Sequence, residues 1–219
     1  MNRDTLRVQT VAGHLTDVDY KDGHNSEARF SKLFGFSQST PTHLLVPDSV
    51  CNSIRLVDRK LNFTTPLVGN PDKVRIKDGS FAIARFRQPY KIYRDERKPE
   101  LYYLSERRSS RFRVINMVAG TVSSLRRVTS FFPSPWGGLA AVLNRSGQFY
   151  ITTNSSILVV DVPNNESRRL TWRDNFTLDI PQELVLLNVD TLLIADKGYQ
   201  SLAVMDLRDS ITSFICTGT

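Results

Sequence analysis

The sequence predicts an all-β protein assembled from stacked copies of one four-stranded unit. A series of short motifs occurs twice in the same order, with KDG at 21–23 and 77–79 and ARF at 28–30 and 84–86. Short β-rich runs separated by Gly, Asn, Asp or Ser follow one another, and no long stretch has a convincing helical periodicity. Because one four-stranded sheet cannot bury both of its faces, radial packing of several sheets, as in a β-propeller, is the expected architecture.

The motifs divide the chain into four units, expected at 14–69, 70–127, 128–172 and 173–219. The first two are longer because a polar connection with an Asp-Gly turn precedes their strands. Before them, Arg7 to Ala12 alternates in polarity and ends at Gly13, which predicts the outer strand of a fifth or closing blade (7–13). Strands are expected at 33–36, 43–46, 54–57 and 65–68, then 90–93, 101–104, 112–115 and 121–125, then 138–143, 148–152, 157–160 and 167–171, and finally 183–187, 191–195, 202–205 and 212–215.

The recurring residues resemble the NHL repeat, a β-propeller family. Its pattern combines an Asp-Gly turn, an Ala-x-Phe pair, a second strand ending in Asp, a third strand with Ile-Arg and a final Asp, and a fourth strand ending in Gly. Glu106 stands where the second-strand Asp is usual, and Thr153 replaces it in the third unit. The structural repeat residues that carry the resemblance are Asp22, Gly23, Asp48, Asp58, Asp78, Gly79, Asp196 and Asp206.

The resemblance implies a ring that usually has six blades. Four units therefore imply either a partial ring within a longer chain or a ring closed by the first strand beside the last unit. The Asp that ends a second strand is expected to accept hydrogen bonds from the following turn, and Arg55 to lie across the sheet beside an Asp. The first unit, around Cys51, is also similar to NHL arrays of large extracellular proteins of marine invertebrates.

Composition and sequons suggest the compartment. The chain of 219 residues is 40% hydrophobic, and it has no apolar run long enough to span a membrane. Its first residues lack the apolar segment of a signal peptide, which indicates a cytosolic protein or a piece of a longer exported chain. Asn-x-Ser/Thr sequons favour an exported glycoprotein, although a Ser/Thr-rich cytosolic chain can carry them by chance. They occur at Asn62, Asn144, Asn154, Asn165 and Asn175.

The two cysteines, Cys51 and Cys216, have no metal-ligand spacing. They are expected to be free buried thiols, or a disulfide if the array closes.

The net charge of +7 favours anionic partners, namely RNA, glycosaminoglycan or an acidic lipid surface. A basic surface without a ligand has the same composition. In the second unit, basic residues alternate with tyrosines around predicted loops, which is typical of surfaces that bind RNA or other anions. A solvated charged rim is the alternative interpretation. The predicted patch comprises Lys91, Arg94, Arg97, Arg107, Arg108, Arg111 and Arg113.

Catalytic motifs are not recognisable in the sequence. A zinc-dependent lyase of the kind found among NHL-like enzymes is the third hypothesis, which the sequence disfavours because the three histidines, His14, His24 and His43, lack a common spacing. No GxSxG, HExxH, P-loop or CxxC motif occurs. We therefore expect no catalytic residues, no metal and no cofactor. The leading hypothesis is a non-catalytic scaffold, extracellular or at the cell surface, that binds a protein through loop tips on one face; an RNA-binding cytoplasmic module is the alternative.

Overall fold

A computed structural model describes residues 9–107, 109, 111–125, 141–143, 147–153, 155–162, 166–170, 177–208 and 211–217. These residues form four antiparallel sheets, here called blades 1 to 4. The strands of blades 3 and 4 follow sequence order, whereas in blades 1 and 2 the first strand lies beside the last one. The all-β prediction is confirmed. Among the described residues, the helical content is one 3-10 turn, Asn25–Glu27, as the absence of helical periodicity predicted.

Blades 1 and 2 have five strands each. From the inner to the outer edge, blade 1 contains β2 (Ser37–Gln38), β3 (His43–Asp48), β4 (Ser53–Asp58), β5 (Phe63–Gly69) and β1 (Gly23–His24). Blade 2 contains β7 (Pro89–Arg94), β8 (Leu101–Glu106), β9 (Arg111–Asn116), β10 (Thr121–Ser124) and β6 (Gly79–Ser80) in the same arrangement.

Blades 3 and 4 have four strands each. Blade 3 runs outward through β11 (Ala141–Leu143), β12 (Gln148–Thr152), β13 (Ile157–Asp161) and β14 (Glu166–Arg169). Blade 4 runs outward through β15 (Pro181–Asn188), β16 (Thr191–Asp196), β17 (Ser201–Asp206) and β18 (Ile211–Thr217).

Three strand predictions are wrong. The residues after each Asp-Gly turn were expected in a long connection, but they add the outer strands β1 and β6. The inner strand of blade 1 was expected at 33–36; it lies at Ser37–Gln38, and Leu33 makes one isolated bridge to Asp48. The third concerns the first segment: residues 9–12 form no strand, while Arg7 and Val8 lie outside the described residues.

Among the described residues, the core consists of three apolar clusters, one between each pair of neighbouring blades. Between blades 1 and 2, Leu45 and Ile54 pack with Phe86 and Leu104. The next cluster centres on Phe149, whose ring meets Tyr103 edge-on at 4.4 Å. The last joins blades 3 and 4 through residues such as Ile157 and Ile194. Neighbouring sheets therefore cover each other's faces, as radial packing requires.

The two end faces of the stack keep an apolar character. On the outward face of blade 1, Val46 and Val57 line a groove of about 380 Å³ together with Phe36, which is 67% exposed. On the outward face of blade 4, Val185 is 47% exposed and Leu202 is 39% exposed. Val185 and Leu202 alternate with buried residues along their strands, so the sheet of blade 4 has two apolar faces, whereas Val46 and Val57 of blade 1 are themselves buried.

No helix in the described part of the chain is long and apolar enough to cross a membrane.

Candidate binding surfaces

The arginine of the Ile-Arg strand is a structural residue. Arg55 has no solvent exposure, and its guanidinium donates to the backbone oxygens of Lys21 and Arg29 at 2.9 and 3.1 Å. It also pairs with Asp22 and lies 3.8 Å from Asp48. The prediction that this arginine lies across the sheet beside an aspartate is confirmed, and the Asp-Gly turn supplies one of its partners.

Arg113 repeats this arrangement in blade 2. Its guanidinium binds Asp78 at 2.7 Å and Glu106 at 2.8 Å, and it donates to the backbone oxygens of Lys77 and Arg85. The side chain is fully buried, so its inclusion in the predicted anionic-ligand patch is wrong. The guanidinium of Arg113 holds the outer strand β6 against blade 2 and is not exposed to a ligand.

The strand-end acids have two different roles. Asp196, which ends a second strand, accepts hydrogen bonds from backbone N–H groups of the turn that follows it, as expected. Asp58 does the same at the end of a third strand. Asp48 instead binds the segment before its blade's inner strand, accepting from the backbone of Ser31 at 3.1 Å and Lys32 at 3.4 Å. For Asp48 the prediction is therefore wrong, because its carboxylate points into the blade and not over the turn.

The remaining predicted basic residues are split between the two ends of blade 2. Arg94 ends β7, whereas Arg107 and Arg111 flank the connection between β8 and β9. The six residues of β8 lie between these two ends, and their five steps of about 3.3 Å place the ends roughly 16 Å apart. One continuous patch is therefore not formed, because consecutive turns of an antiparallel sheet lie at opposite ends. Arg108 lies outside the described residues.

Two more members of the predicted patch have specific structural partners. Arg97 lies 3.5 Å from the carboxylate of Asp95, which is fully buried and accepts the Tyr103 hydroxyl at 3.2 Å. Burial, with the Asp95 charge beside it, raises the pKa of Tyr103 above its ordinary range. A side chain at position 147 would overlap the Arg97 guanidinium, so this arginine packs against blade 3. Lys91 of β7 forms an ion pair with Glu183 of β15.

A basic–aromatic cluster does form at the end of blades 1 and 2 where Arg107 lies. The rings of Phe34 and Tyr90 are 4.3 Å apart. The Arg107 guanidinium lies 5.6 Å from the Phe34 ring centre and 6.0 Å from that of Tyr90. Lys32 places its ammonium 5.3 Å from the Phe34 ring centre. Two cations thus flank a pair of tilted aromatic rings, so positive charge lies beside an apolar surface.

Sequence reasoning missed Lys32 and Phe34 as members of this cluster. Phe34 and Tyr90 occupy the same position in their units, since both follow Arg-Phe by the same spacing in RFSKLF and RFRQPY. That repeated aromatic residue was the available signal. The contact between the two rings crosses the boundary between blades 1 and 2. It depends on how these blades pack, which no local pattern in the sequence specifies.

The three histidines make separate local contacts. His14 is exposed beside Thr16 and Asp17, His24 packs edge-on against the ring of Phe63, and His43 lies 3.4 Å from Asp58. Within the described residues, no group of three or more His, Cys, Asp or Glu side chains is placed to hold a metal ion.

The predicted modification sites are only partly within the described chain. Asn62 is exposed in the turn between β4 and β5, where a glycan would be accessible. The other four sequons, at Asn144, Asn154, Asn165 and Asn175, lie outside the described residues. Cys51 is a free thiol whose pKa is raised by burial, and the side chain of Cys216 lies outside the described part.

Comparison with solved structures finds similar folds at low sequence identity. An auxiliary nutrient binding protein from Bacteroides thetaiotaomicron matches with a TM-score of 0.66 and 13% identity, covering 96% of this chain and 49% of that protein. Streptogramin B lyase matches with a TM-score of 0.61 and 9% identity over 89% and 57% of the two chains. The fold is of the β-propeller type.

A third match comes from a sensor protein. An extracellular domain assigned to a hybrid two-component system, BT3049 of B. thetaiotaomicron, matches with a TM-score of 0.63 and 10% identity, covering 86% of this chain and 25% of that one. This chain thus spans about half or less of the length of most of these neighbours. No protein-family model and no curated protein matches it.

Proposed function

We propose that this chain is a non-catalytic NHL-type propeller that binds a protein partner through the basic–aromatic cluster, as part of an extracellular or cell-surface protein. The cluster carries the proposal because arginine and aromatic residues supply most of the binding energy at protein interfaces. Its rings belong to segments fixed by the sheets of blades 1 and 2, so little ordering is required on binding. The charges of Lys32 and Arg107 favour an acidic segment of the partner.

The NHL assignment is supported by the two buried arginines, which have matching partners in blades 1 and 2. An extracellular location is supported by the neighbours, which include an auxiliary nutrient binding protein and an extracellular domain. The exposed sequon at Asn62 agrees with this location. The apolar end faces support a ring with further blades, since a closed ring would cover them.

A displayed peptide library tests the proposal. We expect the wild-type protein to enrich acidic peptides with apolar residues, and the double change Lys32→Gln and Arg107→Gln to weaken their binding at least about tenfold, equivalent to about 1.4 kcal/mol. Arg94→Gln, at the opposite end of blade 2, is the matched control and should bind normally. The same peptides recovered equally by all three proteins would refute this site.

Single-stranded RNA is the second candidate, and the same cluster favours it. Aromatic rings beside a guanidinium can stack bases while cations bind the backbone. Anisotropy with a labelled RNA of mixed sequence distinguishes the two. Tight binding that weakens steeply with salt, and is lost in the double Gln variant but not in Arg94→Gln, would replace the protein partner by RNA.

A further inference from the structure

A second charged surface lies on the outer rim, where the chain passes from blade 1 to blade 2. It is a pocket of about 460 Å³ between the end of β5 and the strand β6. Four cationic side chains and a single acidic one surround it. The lining comprises Asp72, Lys73, Val74, Arg75, Lys77, Ile83 and Arg85.

The cationic groups of this rim pocket are available to a ligand. Lys73, Arg75 and Lys77 are exposed and form no ion pair with any described residue. Arg85 donates only to the neighbouring backbone oxygens of Ala82 and Ala84 at 3.0 and 2.7 Å. An anion entering the pocket would therefore meet positive charge without first having to break an internal pair.

Blade 1 contains the same backbone feature with the opposite charge. In both connections an isolated β-bridge joins residues on either side of the outer strand. It pairs Lys21 with Arg29 in blade 1 and Lys77 with Arg85 in blade 2. Aligning the two KDG motifs places Asp17 where blade 2 has Lys73. In blade 1 that aspartate binds the Arg29 guanidinium at 3.2 Å and neutralises it.

Two further acidic positions of blade 1 change in the same direction, since Asp19 corresponds to Arg75 and Glu27 to Ile83. Thr16 corresponds to Asp72, the single acidic residue of the lining. The connection thus folds with acidic residues at these positions in one blade and with basic or apolar residues in the other. The positive charge of the rim pocket is therefore not a requirement of the fold, and a binding role accounts for it.

The lining points to the class of ligand. The volume is within the range of small-molecule sites and accommodates one or two saccharide units. The described lining has no aromatic ring, whereas single-stranded nucleic acids are usually held by stacking. Val74 and Ile83 are 58% and 46% exposed and offer apolar contacts for the C–H face of a sugar. We propose that the rim pocket binds an anionic oligosaccharide through its sulfate or carboxylate groups.

The test exchanges the charges of the two blades. The double change Lys73→Asp and Arg75→Asp installs the residues that blade 1 carries, so folding is expected to be preserved and is checked by thermal melting. Binding of a fluorescent sulfated hexasaccharide is measured by anisotropy at two salt concentrations. We expect wild-type binding that weakens with salt, and at least about tenfold weaker binding by the variant.

A matched variant separates a local site from overall charge. Arg59→Asp with Lys60→Asp removes the same charge from the exposed turn between β4 and β5, and it should bind the hexasaccharide within about twofold of the wild type. Equal losses in both variants, or no loss in the first, would overturn the proposal. Equal binding of a desulfated and carboxyl-reduced hexasaccharide, an acidic peptide or a single-stranded RNA would overturn the assignment to an anionic glycan.

Discussion

Arg55 and Arg113 place a positive charge in the interior of blades 1 and 2, where neither side chain is exposed to solvent. Removing a guanidinium from water is costly, and carboxylates and carbonyl oxygens on both sides offset that cost. Each guanidinium donates to two backbone oxygens on either side of its Asp-Gly turn, and the two pairs occupy equivalent positions in blades 1 and 2. One residue therefore ties the outer strand to the middle of its blade.

The change Arg113→Met is expected to destabilise the protein by about 3–5 kcal/mol at pH 7, because Glu106 loses its counter-charge while remaining buried. Burial already raises the pKa of Glu106 from its ordinary 4.5, and Arg113 opposes that shift. Without Arg113 the pKa rises further, so the folded variant retains a proton that the unfolded chain releases. Its stability must then fall as pH rises above 4.5, and the loss caused by the mutation should be smaller at pH 5 than at pH 7.

Urea unfolding at the two pH values measures this difference. Arg111→Met is the control on the same strand; Arg111 is only partly buried, and its replacement should change the free energy of unfolding by less than about 0.5 kcal/mol. An equal loss at pH 5 and pH 7 would show that the mutation acts through packing alone.

At the scale of elements, the turns after the third strands of blades 1 and 2 each use a side-chain oxygen at the same position as a hydrogen-bond acceptor. Asp58 accepts from the backbone of Lys60 and Leu61 at 2.8 and 2.9 Å. Asn116 does the same in blade 2, accepting from Val118 and Ala119 at 3.0 and 2.8 Å. A neutral amide oxygen therefore suffices for this turn, and the negative charge of Asp58 is secondary.

We expect Asp58→Asn to lower the urea midpoint at pH 7 less than Asp58→Ala does, since only alanine removes the acceptor. The backbone N–H of Leu61, with that of Lys60 and the His43 ring, lowers the pKa of Asp58. The stabilisation by its charge is therefore present above the ordinary pKa and is lost as pH falls through the lowered value. Asp58→Asn should lose this acid-dependent part of the unfolding profile. Equal effects of the two substitutions would contradict the acceptor role.

The elements also show what a sequence can predict here. Strands such as β3, β4 and β16 were recognisable because alternation or continuous apolar runs between turn residues reflect their burial. The outer strands β1 and β6 are two residues long, and a distant arginine holds each beside its blade, so no local pattern marks them. For the binding surfaces, adjacency in sequence grouped Arg94 with Arg107, although the strand between them separates their positions in space.

The rim pocket was missed for a related reason. Residues 70–79 read as a polar connection, and polar connections are usually solvated. The informative signal was a comparison within the chain, in which acidic residues of the first connection become basic in the second. Repeats make such comparisons possible, because positions that change while the scaffold stays the same are free of a structural requirement.

At the scale of the whole molecule, the end faces decide between a closed and a partial ring. Val185 and Leu202 lie on the outward face of blade 4, whereas Leu184 and Ala203 on its other face are buried against blade 3. Exposed apolar side chains that share one face of a sheet are typical of a surface that a partner covers. A further sheet packed against this face would cover it.

Residues 1–219 produced alone should therefore bind a hydrophobic dye and self-associate with increasing concentration, as followed by analytical ultracentrifugation. The double change Val185→Lys and Leu202→Lys should reduce both effects while preserving the thermal transition, because these side chains contribute little to the described core. Leu184→Lys, a matched change on the opposite face of the same strand, should instead unfold blade 4, since it buries a charge within the cluster shared with blade 3. A wild-type protein that stays monomeric and binds no dye would mean that the end faces meet, and the ring would then close with the blades of this chain alone.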